Sequence, residues 1–161
     1  MPADSTSPHE RIAASFTRLA LQSKQINAVS NEFSKPVSSL EESIKRLNVG
    51  VECWTVVEEH SLSRDATFRQ DVGYTMLNDQ WCLAIRTFSG PDDDPEHITE
   101  REWRFNESPR HLRVKAIDAL PDLLEALVKA SEATMLKMQE KLGTAQSLAG
   151  AVAALSHTKA K

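Results

Sequence analysis

The residues best suited to recognising a ligand lie in one stretch: Arg101, Trp103, Arg104, Phe105, Arg110, His111 and Arg113. Guanidinium groups hold phosphate or carboxylate through paired hydrogen bonds, flat aromatics stack on rings, and a helix start presents free N–H groups. Such chemistry would suit a small anion or a nucleotide, with Arg101, Arg104 and Arg110 as its cationic contacts. However, Glu100, Glu102 and Glu107 interleave the cations and nearly cancel their charge. Trp103 and Phe105 alternate with Arg104 on a short strand, so cross-strand pairing and packing beneath a helix explain the stretch better.

The other reactive groups form no recognisable machinery. Asp92, Asp93, Asp94 and Glu96, with His97 beside them, could attract a hard cation. The loop lacks the alternating ligand positions and the glycine of a calcium loop, and Pro91 and Pro95 stiffen it, so a solvated acidic loop is the better reading. Glu58, Glu59 and His60 are neighbours on a strand, where adjacent side chains point to opposite faces and do not converge. The five histidines (His9, His60, His97, His111 and His157) sit in separate segments. No nucleophile elbow, zincin helix, Walker loop or dinucleotide-binding glycine pattern is present. Cys53 and Cys82 have no partner at metal or redox spacing and sit in apolar alternating runs, as small buried packing residues do. The sequence therefore calls for no catalytic residue, no cofactor and no metal.

Charge excludes one further class. The chain of 161 residues has a net charge of −4, and Val51–Thr99 alone carries three basic residues against ten acids. An acidic middle is the opposite of the basic face that duplex nucleic acid requires. No stretch reaches the ~18 apolar residues of a membrane span. Unpaired thiols and a polar N-terminus without a signal-peptide core point to the cytoplasm.

The elements come from periodicity. After a loose, flexible leader over 1–8, apolar residues recur in alternating steps of four and three, a coiled-coil spacing kept for about five heptads. Ile12, Leu19, Ile26, Phe33, Leu40 and Leu47 fill every d position, while the a positions mix Phe16, Val37 and Ile44 with Ser23 and Ser30. Pro36 interrupts this helix over 9–48. It predicts either a kink or two helices, the second capped by Ser34, Ser38 or Ser39. An unbroken helix over 10–47 would be about 57 Å long. A compact sphere of this chain would be about 39 Å across, so an unbroken helix would project and need a partner. Leu47, Asn48 and Gly50 form a stop signal.

Over 49–106 the period falls to two. Strands are expected around Val51–Glu58, Phe68–Met76, Trp81–Phe88 and Trp103–Phe105, with Asn78–Asp79 as the tight turn of a hairpin. Short links make this a four-stranded antiparallel meander. A helical pattern returns over 108–142, with Ser108–Pro109 as its start, a break or kink at Pro121 and a stop at Gly143. An Ala-rich tail over 143–161 is left as helix or disorder. The fold class is α+β, a single domain over 9–142 built from long helix, meander and long helix.

Two long helices offer more apolar stripe than a four-stranded sheet about 20 Å wide can cover. The excess, carried by Ile12, Phe16, Leu19, Ile26 and Phe33, makes protein contact the expected function. The chain is read as a non-enzymatic module that forms a homo-oligomer or engages a partner helix.

Overall fold

The computed structural model describes residues 7–64, 66–91 and 95–158. Its chain divides into two compact units, Met1–Ser43 and Ile44–Lys161. The element order is long helix, four strands, a short helix and a second long helix, which makes the fold α+β.

Helix α1 runs from Pro8 to Leu47 over 40 residues, about 60 Å of axis. Its start is a capping box. The Ser7 backbone N–H donates to Glu10 Oε2 at 2.8 Å, and the Glu10 N–H donates to Ser7 Oγ at 3.3 Å, with Pro8 in the first turn, where its missing N–H does no harm. Ser7 and Pro8 thus belong to the helix rather than to a leader, and positions 1–6 lie outside the described residues. The helix also passes through Pro36 undivided. Ser34, one of the serines expected to cap a second helix there, bonds within the helix instead: its Oγ donates to the Ser30 carbonyl. One lost donor, worth about 3 kcal/mol, does not end a helix whose apolar phase continues on both sides of it. The end falls where expected. Asn48 (φ 50°) and Gly50 (φ 60°) turn left-handed, and the Asn48 N–H returns to the Lys45 carbonyl at 3.0 Å.

Strands β1 (Cys53–Ser63), β2 (Ala66–Leu77), β3 (Gln80–Pro91) and β4 (Thr99–Arg104) form one antiparallel sheet in sequence order. Asn78 and Asp79 both have positive φ, 51° and 59°, and join the pair Leu77–Gln80. This is the mirror-image turn whose twist matches that of a two-strand ribbon. A register shift between Val56 and Glu58 exchanges the faces of β1 part-way along. Phe105 falls outside the fourth strand, in a 3-10 turn over Phe105–Glu107, and is buried there.

Helix α2 (Arg110–Ile117) packs on β2 and β3, and α3 (Leu120–Thr158) packs on β1 and β2. They enclose the core side chains Val72, Tyr74, Leu83, Ile85, Phe105, Leu112, Ala116, Leu123 and Leu127, all nearly inaccessible. Two polar links lock the layers: Gln70 Nε2 donates to the Leu112 carbonyl at 2.8 Å, and Lys115 Nζ reaches Glu58 at 2.7 Å. Ser108 does not cap α2. Its hydroxyl donates to the Phe105 carbonyl, while Pro109 is the residue preceding the helix and accepts from the Leu112 and Arg113 N–H groups. Pro121 marks the α2–α3 break, in the first turn of α3.

The expected stop at Gly143 is overruled, because α3 continues through Gly143 and Gly150 to Thr158. Each isolated glycine costs a helix only ~1 kcal/mol, and the surrounding Ala, Leu and Gln residues favour the helix at almost every other position.

Asp79 holds a left-handed conformation that costs most L-residues about 1–2 kcal/mol. Replacing it with glycine removes that strain at some cost in unfolded-chain entropy. The Asp79→Gly chain is expected to gain up to ~1 kcal/mol, read as a higher urea midpoint with an unchanged slope.

Candidate functional site

Two surfaces carry unusual chemistry: the apolar stripe of α1 and the sheet face opposite α2 and α3. On the stripe, every described residue from Ser7 to Val29 is exposed. The expected contact residues stand open to solvent: Ile12 by 69%, Phe16 by 74%, Leu19 by 61%, Ile26 by 48% and Phe33 by 39%. Further along the same stripe Val37 and Ile44 are buried. The side chains flanking the exposed part, Ala13, Ser15, Ala20, Gln22, Asn27 and Val29, are all uncharged.

On the sheet, strand pairing sets Trp54, Gly73, Ala84 and Arg104 in one cross-strand row and Val56, Asp71, Arg86 and Glu102 in the next. Gly73 lets the Trp54 ring lie flat across β2. A Cβ at that position would overlap the indole and stand 2.8 Å from the Cys53 carbonyl oxygen. The indole N–H donates to Glu52 Oε1 at 2.6 Å, and the ring face carries the Arg86 guanidinium 3.9 Å from its centroid. Phe88 flanks the same guanidinium at 5.0 Å.

Asp71, wholly buried, accepts from Arg86 Nε at 3.0 Å with one oxygen and from Arg69 Nε at 2.7 Å with the other. The hydrogen bond to Asp71 pushes the Arg69 guanidinium above its ordinary value, against a smaller opposing effect of desolvation. With both oxygens engaged by cations, Asp71 is an anchor and not a base. Glu102, at the end of this row, titrates above the usual carboxylate range. Partial desolvation on the sheet is the main cause, and the like charges of Glu100 and Glu52 add to it against Arg86.

Comparison with protein families, with characterised proteins and with solved structures finds no match for this chain. The assignment rests on its own geometry.

Of the arginines suggested for an anion site, Arg101 and Arg104 do not share a face of the sheet. Arg101 and Arg104 stand three apart on β4, paired with Thr87 and Ala84, so their side chains leave opposite faces. Arg104 Nη2 donates to Gln80 Oε1 at 3.0 Å, and Arg110 lies at the exposed start of α2. Glu58 and Glu59 diverge as their adjacency implies, Glu58 to Lys115 and Glu59 to the row of Arg69. His60 lies against Phe68 with the ring centroids 5.0 Å apart and the planes tilted by 38°. Asp92, Asp93 and Asp94 lie outside the described residues, and Glu96 and His97 are exposed in a 3-10 turn. Among the described residues no group of three His, Cys, Asp or Glu could hold a metal ion, and no helix is long and apolar enough to cross a membrane. Cys82 is buried, whereas Cys53, expected to be buried too, is only partly so. Desolvation still raises the Cys53 thiol pKa, which disfavours a reactive thiolate.

The Asp71 cluster escaped the sequence reading, although one signal was present. Asp71 follows Arg69 and Gln70 in a strand otherwise made of Phe68, Val72 and Tyr74, and a charge inside a strand that becomes central needs a partner.

Two outcomes follow from the cluster. Asp71→Asn leaves two guanidinium groups without their carboxylate and is expected to cost about 2–3 kcal/mol, read from urea unfolding. For Glu102, the folded pKa lies above the unfolded one, so its favourable contribution is present at low pH and lost as pH rises through the folded pKa. Glu102→Gln should therefore raise Tm at neutral pH and leave it unchanged near pH 3, well below ordinary carboxylate titration.

Proposed function

We propose that this protein is a non-enzymatic assembly module that works by burying the α1 stripe against a helix of another chain, forming a coiled-coil-like homo-oligomer or engaging a partner helix. The observation that supports it is the exposure of Ile12, Phe16, Leu19, Ile26 and Phe33 at heptad spacing on one continuous helix.

Fully burying each such side chain is worth roughly 1.5–3 kcal/mol, and a surface helix in water gains little from propensity alone. Heptad spacing keeps the five residues along one line, so a second helix can cover them together. The uncharged flanks impose no electrostatic selection on the partner. Affinity and register then depend on the apolar residues themselves, with Ser23 weakening the seam and helping to set its alignment. A cytoplasmic setting suits the chain, since Cys53 and Cys82 form no disulfide and reducing conditions keep thiols in that state.

Leu19→Asp combined with Ile26→Asp places two charges on the seam without touching the sheet core. In light scattering, the wild-type mass should exceed the 17.9 kDa of one chain and fall in the double variant. An identical mass for the two proteins would sink the proposal.

A further inference from the structure

Helix α3 carries a second seam. Leu124, Val128, Ser131, Met135, Met138, Leu142, Ala145, Ala149 and Val152 alternate in steps of four and three along the helix. Leu123 and Leu127, one position away, face the core. The seam itself is open: Val128 is 57% exposed, Met135 52%, Met138 67%, Leu142 58% and Val152 63%. Beyond Thr134 every described side chain is exposed through Leu155. Ser131, Met135, Met138, Leu142 and Ala145, with Val49 from the segment after α1, line a groove of about 870 Å3 along this face.

We propose that this seam is covered by the same seam of a second copy, running antiparallel, about a twofold axis that crosses α3 between Leu136 and Lys137. The argument is the order of side-chain sizes. In an antiparallel pair each a position faces a d position. With the axis placed there, Met135 meets the second copy's Met138, Leu142 meets Ser131, Val128 meets Ala145, and Leu124 meets Ala149. Each layer away from the axis joins a large side chain to a small one, which lets layers fill evenly. A parallel pair would set Leu142 on Leu142, Ala145 on Ala145 and Ser131 on Ser131, alternating crowded layers with empty ones and burying two facing hydroxyls.

The flanks agree with this register. Glu125 and Glu132 fall beside Gln146 and Gln139 of the second copy, and Lys141 beside Thr134, so no like charges meet. Antiparallel helix dipoles also attract. The shared seam from Leu124 to Ala149 is about 38 Å long and one helix wide, several hundred Å2 on each copy and at the small end of specific interfaces.

This inference does not depend on the α1 stripe, and it is tested with that stripe disabled. In the Leu19→Asp, Ile26→Asp protein at about 50 micromolar, light scattering should give twice the 17.9 kDa chain mass. Adding Met135→Asp and Met138→Asp, both at exposed positions, should give a single chain with unchanged far-UV circular dichroism. A monomer before that addition, or a dimer after it, overturns the inference. A mixture of Val128→Cys and Ala145→Cys chains should form the 128–145 disulfide under mild oxidation, above the background from Cys53 and Cys82. Preferential 145–145 pairing would overturn the antiparallel arrangement. Failure of the α1 reading appears separately, as equal masses for wild type and the Leu19→Asp, Ile26→Asp protein.

Discussion

Apolar side chains on a helix must be taken out of water, and the surface available for doing so limits everything else in this protein. The meander has one face that α2 and the first turns of α3 cover, closing the core around Tyr74, Leu83, Ile85 and Phe105. That core accounts for Leu112, Ala116, Leu123 and Leu127 and then for little more of either long helix. Both α1 and α3 nevertheless keep a heptad line of apolar residues well beyond the turns that are buried. Helical stability in water comes mainly from packing rather than propensity, which is why we propose that other helices cover these lengths.

The opposite face of the sheet solves the same problem without a second layer. Trp54 lies down across Gly73, Arg86 lies on the indole, and Asp71 binds Arg86 and Arg69 beneath the surface. Long side chains can shield a sheet in this way because their apolar stems and flat guanidinium groups pack while their charge is satisfied. The cluster thereby consumes the very groups that might otherwise serve an anion or a proton transfer. On the long helices, by contrast, the exposed groups include aligned apolar side chains.

Several features were legible in the residues because each depends on near neighbours. The change of period at Val51, the Asn78–Asp79 turn, the Asn48–Gly50 stop and the break at Pro121 are all local chemistry of a few residues. The errors are instructive for the same reason. Gly143 reads as a stop, whereas Pro36 leaves a continuous helix open; a single unfavourable residue is a cost of about 1–3 kcal/mol spread against many favourable neighbours, and both helices run on. Ser7, in the expected leader, closes a capping box with Glu10 of the helix. Cys53 was expected to share the burial of Cys82, but the two lie in different rows of the sheet and differ in cover.

The sequence by itself determined the kinds of element, their order and the stripes they carry, since periodicity belongs to one segment at a time. It took the folded sheet to show that Trp54 lies against a glycine 19 positions away, and that Asp71 holds two arginines. Those facts depend on strand register, which brings together residues far apart in the chain and has no signature in either partner alone. Burial is likewise a property of the whole fold. It separates Leu127, enclosed, from Val128, open, although both are apolar and adjacent.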